Sequence, residues 1–238
     1  MKTCIITGAG SGIGQMAALQ IGRENLFEHL VLIGRTPEKL EKTRSMMETD
    51  AAVTVIPHDL SDLEGIPPLV QRVYESSGEI NCLLNIAGYT DPQPLLTTSI
   101  ENMQLTYETN VFAPFLLIRE CAKYMRQNKT ISKILNIGST AGITPRPGWL
   151  SYSSSKAAII SMSQTLTEEL SEYGIKVYCI SPGRCATELR RKLAPDEDQS
   201  KIMQPEEVGK IICNLISDSE QCLDGQNIII RKKNVNVK

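Results

Sequence analysis

Short apolar runs alternate with longer segments of helical periodicity along the whole chain. We predict strands from these runs at residues 4–7, 30–33, 53–56, 80–85, 131–137, 176–181 and 227–230. Helix-length segments separate the runs, without a Pro-rich linker, a low-complexity tract or a repeat. The alternation predicts one domain over residues 1–238, with an α/β fold: a doubly wound, Rossmann-like, mostly parallel sheet between two layers of helices. Ligands of such a fold bind at the carboxyl ends of the strands.

The composition is consistent with one well-buried domain and argues against several kinds of partner. The 238 residues are 41% hydrophobic and 22% charged, and the net charge is −2. Because no dense basic run extends beyond three residues such as those at 231–233, we expect no nucleic-acid partner. The N-terminus enters an apolar strand directly, and no apolar run reaches about 18 residues. We therefore expect no membrane segment and a cytoplasmic location.

The cysteine pattern predicts free thiols. The chain has seven Cys and two His, and no Cys-x-x-Cys pair. This spacing favours neither a disulfide framework nor a metal site. Cys185 follows a Pro-Gly turn, but no activating base is evident beside it.

A glycine-rich turn follows the first predicted strand and opens a helical segment. It reads Thr-Gly-Ala-Gly-Ser-Gly-Ile-Gly over residues 7–14. Its Gly-x-x-x-Gly-x-Gly spacing allows a tight turn, a close approach of a pyrophosphate and helix N–H groups directed at the anion. The alternative is a flexible turn without a ligand. At this place in the chain the pattern favours a dinucleotide, held by Gly8, Ser11, Gly12, Ile13 and Gly14.

The second strand predicts which dinucleotide binds. An acidic residue about 20 positions after the glycine turn would bind the ribose 2′-hydroxyl of NAD. Gly34 occupies that position, and Arg35 and Thr36 follow it. A guanidinium with a neighbouring hydroxyl suits a 2′-phosphate, so we predict NADP (NADPH) in preference to NAD. Alternatively, Thr36 only caps the helix that begins at Pro37, and Arg35 is solvated.

The ends of the third and fourth strands supply further candidate contacts. Asp59 follows the third strand and either accepts a hydrogen bond from an adenine amino group or caps a helix that begins near Asp62. Small residues after the fourth strand allow a cofactor to lie against the backbone. The candidates from these two ends are Asp59, Leu60, Asn85, Ala87 and Gly88.

The segment 139–156 ends in Tyr-x-x-x-Lys. On a helix, this spacing places Tyr152 and Lys156 on one face. An ammonium about 4 Å from a phenol, at an effective dielectric of about 20, favours the phenolate by up to ~4 kcal/mol. We therefore expect Lys156 to lower the pKa of Tyr152 toward neutrality, where acid–base catalysis is efficient.

The order and spacing of these motifs resemble the short-chain dehydrogenase/reductase family over nearly the whole sequence. Individually the motifs are weak, but their shared order is specific. They are the Thr-Gly-x-x-x-Gly-x-Gly turn at 7–14, Asn-Ile-Ala-Gly at 85–88, Asn110, Ser139 thirteen residues before Tyr152, Lys156, and the turn at Pro182 and Gly183 with Thr187.

The resemblance implies roles for these residues. Tyr152 would exchange a proton with the substrate oxygen, and Ser139 would hydrogen-bond that oxygen. Lys156 would bind the nicotinamide ribose, and Asn110 would hold a water that links Lys156 to solvent. Pro182, Gly183 and Thr187 would hold the nicotinamide carboxamide. The implied reaction is hydride transfer between NADP and a small carbonyl or alcohol substrate.

Two departures from the family pattern bear on these expectations. Ile86 replaces the second Asn of the Asn-Asn-Ala-Gly motif. Near the C-terminus, Asp224-Gly225-Gln226-Asn227 replaces the Val-Asp-Gly-Gly sequence of many relatives. That terminus often shapes a tetramer interface in the family, so we expect a homodimer, paired through the apolar face at 111–118, with a homotetramer as the alternative.

Three connections would wall the substrate pocket, at residues 89–99, 140–151 and 184–204. Arg146, Trp149, Arg184 and Arg190 are candidates to meet a polar or anionic substrate. The alternatives to an NADP-dependent reductase are a catalytically silent NADP-binding regulatory protein and an NAD-preferring polyol or sugar dehydrogenase. A serine hydrolase is disfavoured because Gly-x-Ser-x-Gly is absent from the sequence.

Overall fold

A parallel sheet forms the centre of the protein. The structure, a computed structural model, describes residues 1–220, 222–223 and 225–232, so Asp224 and Lys233 lie outside the described residues. The described chain forms one sheet in the order β3-β2-β1-β4-β5-β6-β7, and each pairing is parallel. The strands are β1 (Thr3–Thr7), β2 (His29–Gly34), β3 (Ala52–Pro57), β4 (Cys82–Asn85), β5 (Ser132–Ile137), β6 (Ile175–Pro182) and β7 (Asn227–Ile230).

The doubly wound fold is confirmed, and the sheet is wholly rather than mostly parallel. The predicted strands 80–85 and 131–137 begin later than expected, at Cys82 and Ser132. At the start of β4 the Asn81 side chain accepts a hydrogen bond from the Thr3 backbone N–H at 2.8 Å. At this position the Asn81 side chain, and not the backbone of a strand, accepts the hydrogen bond from β1.

Helices cover both faces of the sheet. They are α1 (Gly12–Arg23), α2 (Pro37–Ser45), α3 (Ile66–Ser77), α4 (Ile100–Tyr107), α5 (Ala113–Met125), α6 (Leu150–Ser171), α7 (Glu188–Leu193) and α8 (Pro205–Ile216). The two-residue period of a strand sends Cys4 and Ile6 to the core on one face and Ile5 to the core on the other. Helices α1 and α8 contribute to the first core, and α3, α5 and α6 contribute to the second.

The helix expected near Asp62 begins at Ile66 instead, with Gly65 at its N-cap. Asp59 does not cap it, because its carboxylate accepts hydrogen bonds from the backbone N–H and the hydroxyl of Ser61. This local turn competes with helix formation, as Asp commonly does outside helices. The prediction of an Asp59 cap was wrong.

The chain reverses its direction of winding between β1 and β4. Strands β2 and β3 extend the sheet on one side of β1, and β4 returns to the other side. The connections after β1 and β4 therefore diverge and open a crevice at the carboxyl edge of the sheet. Among the described residues, no helix has both the length and the apolar character needed to span a membrane.

Helices α1 and α8 approach closely at Gly209. A Cβ at this position would lie 3.0 Å from the carbonyl carbon and the carbonyl oxygen of Met16, and both are backbone atoms that cannot rotate away. Gly209 is thus a packing requirement inside a helix, where glycine otherwise lowers stability.

We predict that Gly209→Ala lowers the free energy of unfolding. Overpacking costs roughly 1–3 kcal/mol, which outweighs the gain of about 1 kcal/mol in helix propensity. Urea unfolding measures the difference. Asn214→Ala, at an exposed position of the same helix, is the matched control and should lose no stability; equal stability of wild type and Gly209→Ala would contradict the packing argument.

Candidate active site

The turn between β1 and α1 is built for close backbone contact. Gly8 has a φ of +68°, and a Cβ there would lie 2.9 Å from the backbone of Ala87. A Cβ on Gly14 would lie 2.2 Å from the Gly8 carbonyl oxygen. Ser11, the N-cap of α1, has an extended backbone and makes no side-chain cap, and the first turn of α1 carries no acidic residue. The helix N-terminus therefore offers N–H groups to an anion.

The Thr7 hydroxyl fixes the turn to the end of β4. Its oxygen accepts hydrogen bonds from the backbone N–H groups of Ile86 (3.0 Å) and Ala87 (3.1 Å), and it donates to the Leu84 carbonyl. One buried side chain thus holds the two strand ends that border the crevice. The sequence analysis placed Thr7 in the glycine motif but gave it no role.

Two adjoining cavities fill the crevice. The one beside β2 and β3 has a volume of about 190 Å³, and the one beside β5 and β6 has a volume of about 270 Å³. Both are lined by Gly8, Ser11, Ala87 and Gly88, so they form one continuous cleft across the glycine turn. A cleft with two wider cavities and a constriction between them fits an elongated ligand in which a narrow linker joins two larger groups.

The smaller cavity contains the residues expected to select the cofactor. Arg35 and Thr36 are exposed on its wall, and Thr36 precedes α2 without capping its first turn. Lys39, which the sequence analysis missed, lies on the same wall. The sequence could have indicated Lys39, because it is a cation in the first turn of the helix that follows β2. The wall also includes Gly10, His58, Asp59, Leu60 and Tyr89.

The larger cavity brings Ser139, Tyr152 and Lys156 together. Lys156 is 4% exposed, and its Nζ donates to the Ile137 carbonyl at 2.8 Å. Nζ lies 5.8 Å from the centroid of the Tyr152 ring. Burial lowers the pKa of Lys156 to about 8.

The pKa of Tyr152 moves opposite to the expected direction. Burial of the phenol raises it, and a hydrogen bond with Ser139 and the charge of Arg146 lower it to a smaller extent. The Lys156 ammonium is turned to a backbone carbonyl, so the predicted lowering by Lys156 was wrong. Burial cannot be derived from a four-residue spacing, and here it dominates.

Ser139 stands at the end of β5, where the backbone turns toward α6. Its hydroxyl accepts a hydrogen bond from the Ala141 N–H at 3.1 Å and so caps the short helical turn at Thr140–Gly142. The oxygen that faces Tyr152 therefore has a fixed position.

Asn110 lies in a π-helical turn, Glu108–Phe112, between α4 and α5. This wide turn is a frequent feature of functional sites. The buried amide clamps the Tyr89 backbone, since Oδ1 accepts from its N–H (2.7 Å) and Nδ2 donates to its carbonyl (2.8 Å). Nδ2 also donates to Ser155, one residue before Lys156. Asn110 thus lies behind the cavity wall and supports it.

The structure does not bring Asn85 to the cleft. Its Nδ2 donates to Asn136 Oδ1 at 2.9 Å, and Asn136 donates to Ser163 in α6. This chain of buried amides joins β4, β5 and α6 beneath the site. The position of Asn85 at a strand end predicted a cofactor contact. The side chain points between strands and not into the cleft.

The connection after β6 covers the larger cavity. Pro182, Gly183 and Thr187 line it, as expected, and Thr187 caps α7 by accepting a hydrogen bond from the Arg190 N–H. Glu188 of α7 pairs with Lys39 of α2 at 2.9 Å, a contact that links the two halves of the cleft.

Two further groups line the larger cavity, and only one of them, Thr90, was not predicted. Thr90 is 7% exposed and lines the larger cavity, and its hydroxyl has no hydrogen-bond partner among the described residues. Cys185 also lines the cavity, but burial raises its pKa to about 12. Cys185 is therefore a neutral thiol, as the sequence indicated.

Comparisons with known proteins agree with this geometry. The profile of the short chain dehydrogenase family matches residues 2–198. The chain is 32% identical over 198 residues to 2,3-dihydro-2,3-dihydroxybenzoate dehydrogenase of Bacillus subtilis, which covers 83% of this chain and 75% of that protein. It is 30% identical to a 3-oxoacyl acyl-carrier-protein reductase of Thermotoga maritima over 95% of both chains.

The solved structure of a short chain dehydrogenase from Shigella flexneri complexed with NADP superposes with a TM-score of 0.87, at 26% identity over 96% of both chains. The resemblance found in the sequence motifs is thus confirmed by profile, relatives and fold. The chain belongs to the short-chain dehydrogenase/reductase family and is an oxidoreductase that acts on the CH–OH/C=O pair.

Proposed function

We propose that this protein is an NADP-dependent oxidoreductase that interconverts a ketone and a secondary alcohol, with Tyr152 as the general acid and base. The observation that carries the proposal is the meeting of Tyr152, Ser139 and Lys156 on one wall of a cavity that continues into the glycine turn. Acid–base groups and an anion-binding turn in one cleft are the parts that hydride transfer to a carbonyl needs.

The cleft fits a nicotinamide dinucleotide. The uncapped N-terminus of α1 suits the pyrophosphate, and Gly8 and Gly14 let it approach the backbone. The unpartnered Thr90 hydroxyl is a further polar group available to a ligand. When bound, such a cofactor supplies or accepts the hydride.

The residues of the chain handle the proton. The Tyr152 phenol, kept protonated by burial, donates its proton to the substrate oxygen during reduction and recovers it during oxidation. Ser139 hydrogen-bonds the same oxygen. Lys156 lines the same cavity and is placed to bind the nicotinamide ribose. Asn110 keeps one lone pair of Oδ1 for the proposed water, beyond its bonds to Tyr89.

Two cations support NADP over NAD. Arg35 and Lys39 both line the smaller cavity, and no acidic residue stands at the end of β2, where Gly34 lies. A planar guanidinium and an ammonium together suit the dianionic 2′-phosphate. Asp59 and Leu60 complete that end of the proposed site.

We also propose a homodimer in the cytoplasm. Of the apolar residues at 111–118, Phe112 and Phe115 are about half exposed, while Leu117 and Ile118 are buried in the core. Two exposed phenylalanines on adjacent helical turns are a suitable contact for a second copy. The homotetramer stays an alternative prediction.

Tyr152→Phe should lower kcat by at least about a hundredfold, since it removes the proton donor, while the Kd for NADPH stays within about twofold. NADPH oxidation with a panel of acyl thioester, sugar-derived and simple ketones measures turnover, and fluorescence titration measures binding. Substantial residual turnover in the variant would contradict the role of Tyr152. A silent panel for wild type with intact NADPH binding would favour the regulatory protein instead.

Arg35→Ala and Lys39→Gln should each weaken NADPH binding by roughly tenfold or more, because each removes a charged partner of the 2′-phosphate. NADH binding should stay nearly unchanged. Lys42→Gln, an exposed lysine on the same helix, is the matched control. Tighter binding of NADH than NADPH by wild type would make the NAD-preferring alternative correct.

Lys156→Met should change how the stability of the protein depends on pH. The folded pKa of about 8 lies below the ordinary 10.5, so the buried ammonium destabilises the fold below about pH 8, and the cost disappears toward about pH 10.5. The stability of wild type relative to the variant should therefore rise by on the order of 3 kcal/mol between these two pH values, whereas the loss of the hydrogen bond to the Ile137 carbonyl adds a difference that does not vary with pH. Urea unfolding of both proteins across this range tests it, and a difference independent of pH would refute the buried charge.

A further inference from the structure

The positive charges around the larger cavity are unequally compensated. Arg184 pairs with Glu197 at 2.8 Å, and Arg190 pairs with the other oxygen of the same carboxylate at 2.6 Å. The Glu197 side chain is 15% exposed, so both pairs are partly shielded from water. These two arginines hold the covering segment in place and are not free for a substrate.

Arg146 is in a different situation. It lies on the connection between Ser139 and α6, lines the same cavity and is exposed. Among the described residues, its guanidinium donates one long hydrogen bond, of 3.4 Å, to the Thr140 hydroxyl. Within the described part of the chain, no carboxylate lies within ion-pair distance of Arg146, although its charge reaches the Tyr152 phenol.

Trp149 adds an aromatic surface next to this charge. Its ring packs edge-on against Tyr152, with 5.8 Å between centroids, and it lines the cavity. Leu189 and Leu193 lie on the covering helix α7. A ligand beside Tyr152 therefore meets apolar and aromatic walls and one uncompensated guanidinium.

The carboxylates near the cavity do not offset this charge. Glu188 is paired with Lys39 and with Lys192 (3.3 Å), and Glu197 is shared by two arginines. Glu188 and Glu197 thus have two cationic partners each, and the charged residues that line the cavity, Arg146, Lys156, Arg184, Glu188 and Arg190, give it net positive charge. A charged wall of one sign selects ligands of the opposite sign.

We propose that Arg146 is a specificity-determining residue that binds a carboxylate on the substrate. The substrates are then carbonyl or alcohol compounds that carry a carboxylate on a ring or planar group, with that group against Trp149. This inference rests on the proposed function, since it names the substrate class of the same site. A carboxylate on Arg146 also offsets the charge that lowers the Tyr152 pKa, which helps the phenol keep the proton that it donates in reduction.

Trp149 is the only tryptophan of the chain, so its fluorescence reports binding at this position without turnover. The experiment titrates the NADP⁺-loaded protein with benzoate and with benzamide, a neutral molecule of nearly the same shape. Benzoate should bind on the order of tenfold more tightly than benzamide, as a charged hydrogen-bond partner contributes. Arg146→Gln should remove this preference, and Arg146→Lys should keep part of it.

The controls separate the possible failures. Arg72→Gln, an exposed arginine of α3 outside the cavity, should leave the preference unchanged. Equal binding of both probes by wild type, no binding of either, or loss of the preference in Arg184→Gln but not in Arg146→Gln would each overturn the proposal. Failure of the proposed function has a different signature, namely no NADP⁺ binding or no turnover of any ketone.

Parallel kinetics extend the test to turnover. The cyclic ketone 4-oxocyclohexanecarboxylate and its methyl ester differ in the negative charge and in one methyl group. We expect kcat/KM to favour the acid by about tenfold in wild type and by less than about twofold in Arg146→Gln, with the ester little changed by the substitution. An unchanged acid-to-ester ratio in the variant would refute the role of Arg146, even where turnover itself is normal.

Discussion

The buried ammonium of Lys156 is the constraint on which the site depends. A charge that is 4% exposed needs a close partner, and the Ile137 carbonyl at 2.8 Å provides it. This bond fixes α6 against the end of β5. Ser139 follows Ile137 by two residues and Tyr152 precedes Lys156 by one helical turn, so the same bond sets the relation between the hydroxyl and the phenol. Burial of the Lys156 ammonium at the carboxyl edge of the sheet lowers its pKa. The same burial requires the hydrogen bond that sets the geometry of the site.

The crevice beside this group depends on close contact between two strand ends. Gly8 lacks the Cβ atom that would separate the turn from Ala87, and Gly14 lacks the one that would meet the Gly8 carbonyl. The Thr7 hydroxyl accepts hydrogen bonds from the N–H groups that follow β4. Across the opening, the Lys39–Glu188 pair joins the helix after β2 to the covering helix α7. Because Lys39 lies on the wall proposed for the 2′-phosphate, the occupant of that wall competes with Glu188 for the same ammonium.

Much of the fold could be predicted because the apolar period of each strand and the glycine turn are local properties of the sequence. The pairing of Tyr152 with Lys156 followed from spacing for the same reason, and the resemblance to the family added Ser139. Spacing could not predict the direction of the Asn85 side chain or the raised pKa of Tyr152. Each depends on the residues that pack around the group in three dimensions. Lys133 illustrates the limit. It is a charged residue inside a strand, yet it is buried, and its ammonium donates a hydrogen bond of 2.6 Å to the Ser217 carbonyl beyond α8.

The ion pairs of the arginines show why the substrate class could not be inferred from the sequence alone. The sequence offers Arg146, Arg184 and Arg190 as equivalent candidates, and counting them predicts a strongly cationic pocket. Glu197, more than a dozen residues from Arg184 in the chain, pairs with two of the three in space, and among the described residues Arg146 has no carboxylate partner. The remaining charge lies on the wall that carries Ser139 and Trp149, opposite the covering helix. An anion bound there is anchored on the side of the cavity from which the proton comes, so its position relative to Tyr152, and not only its affinity, is set by Arg146.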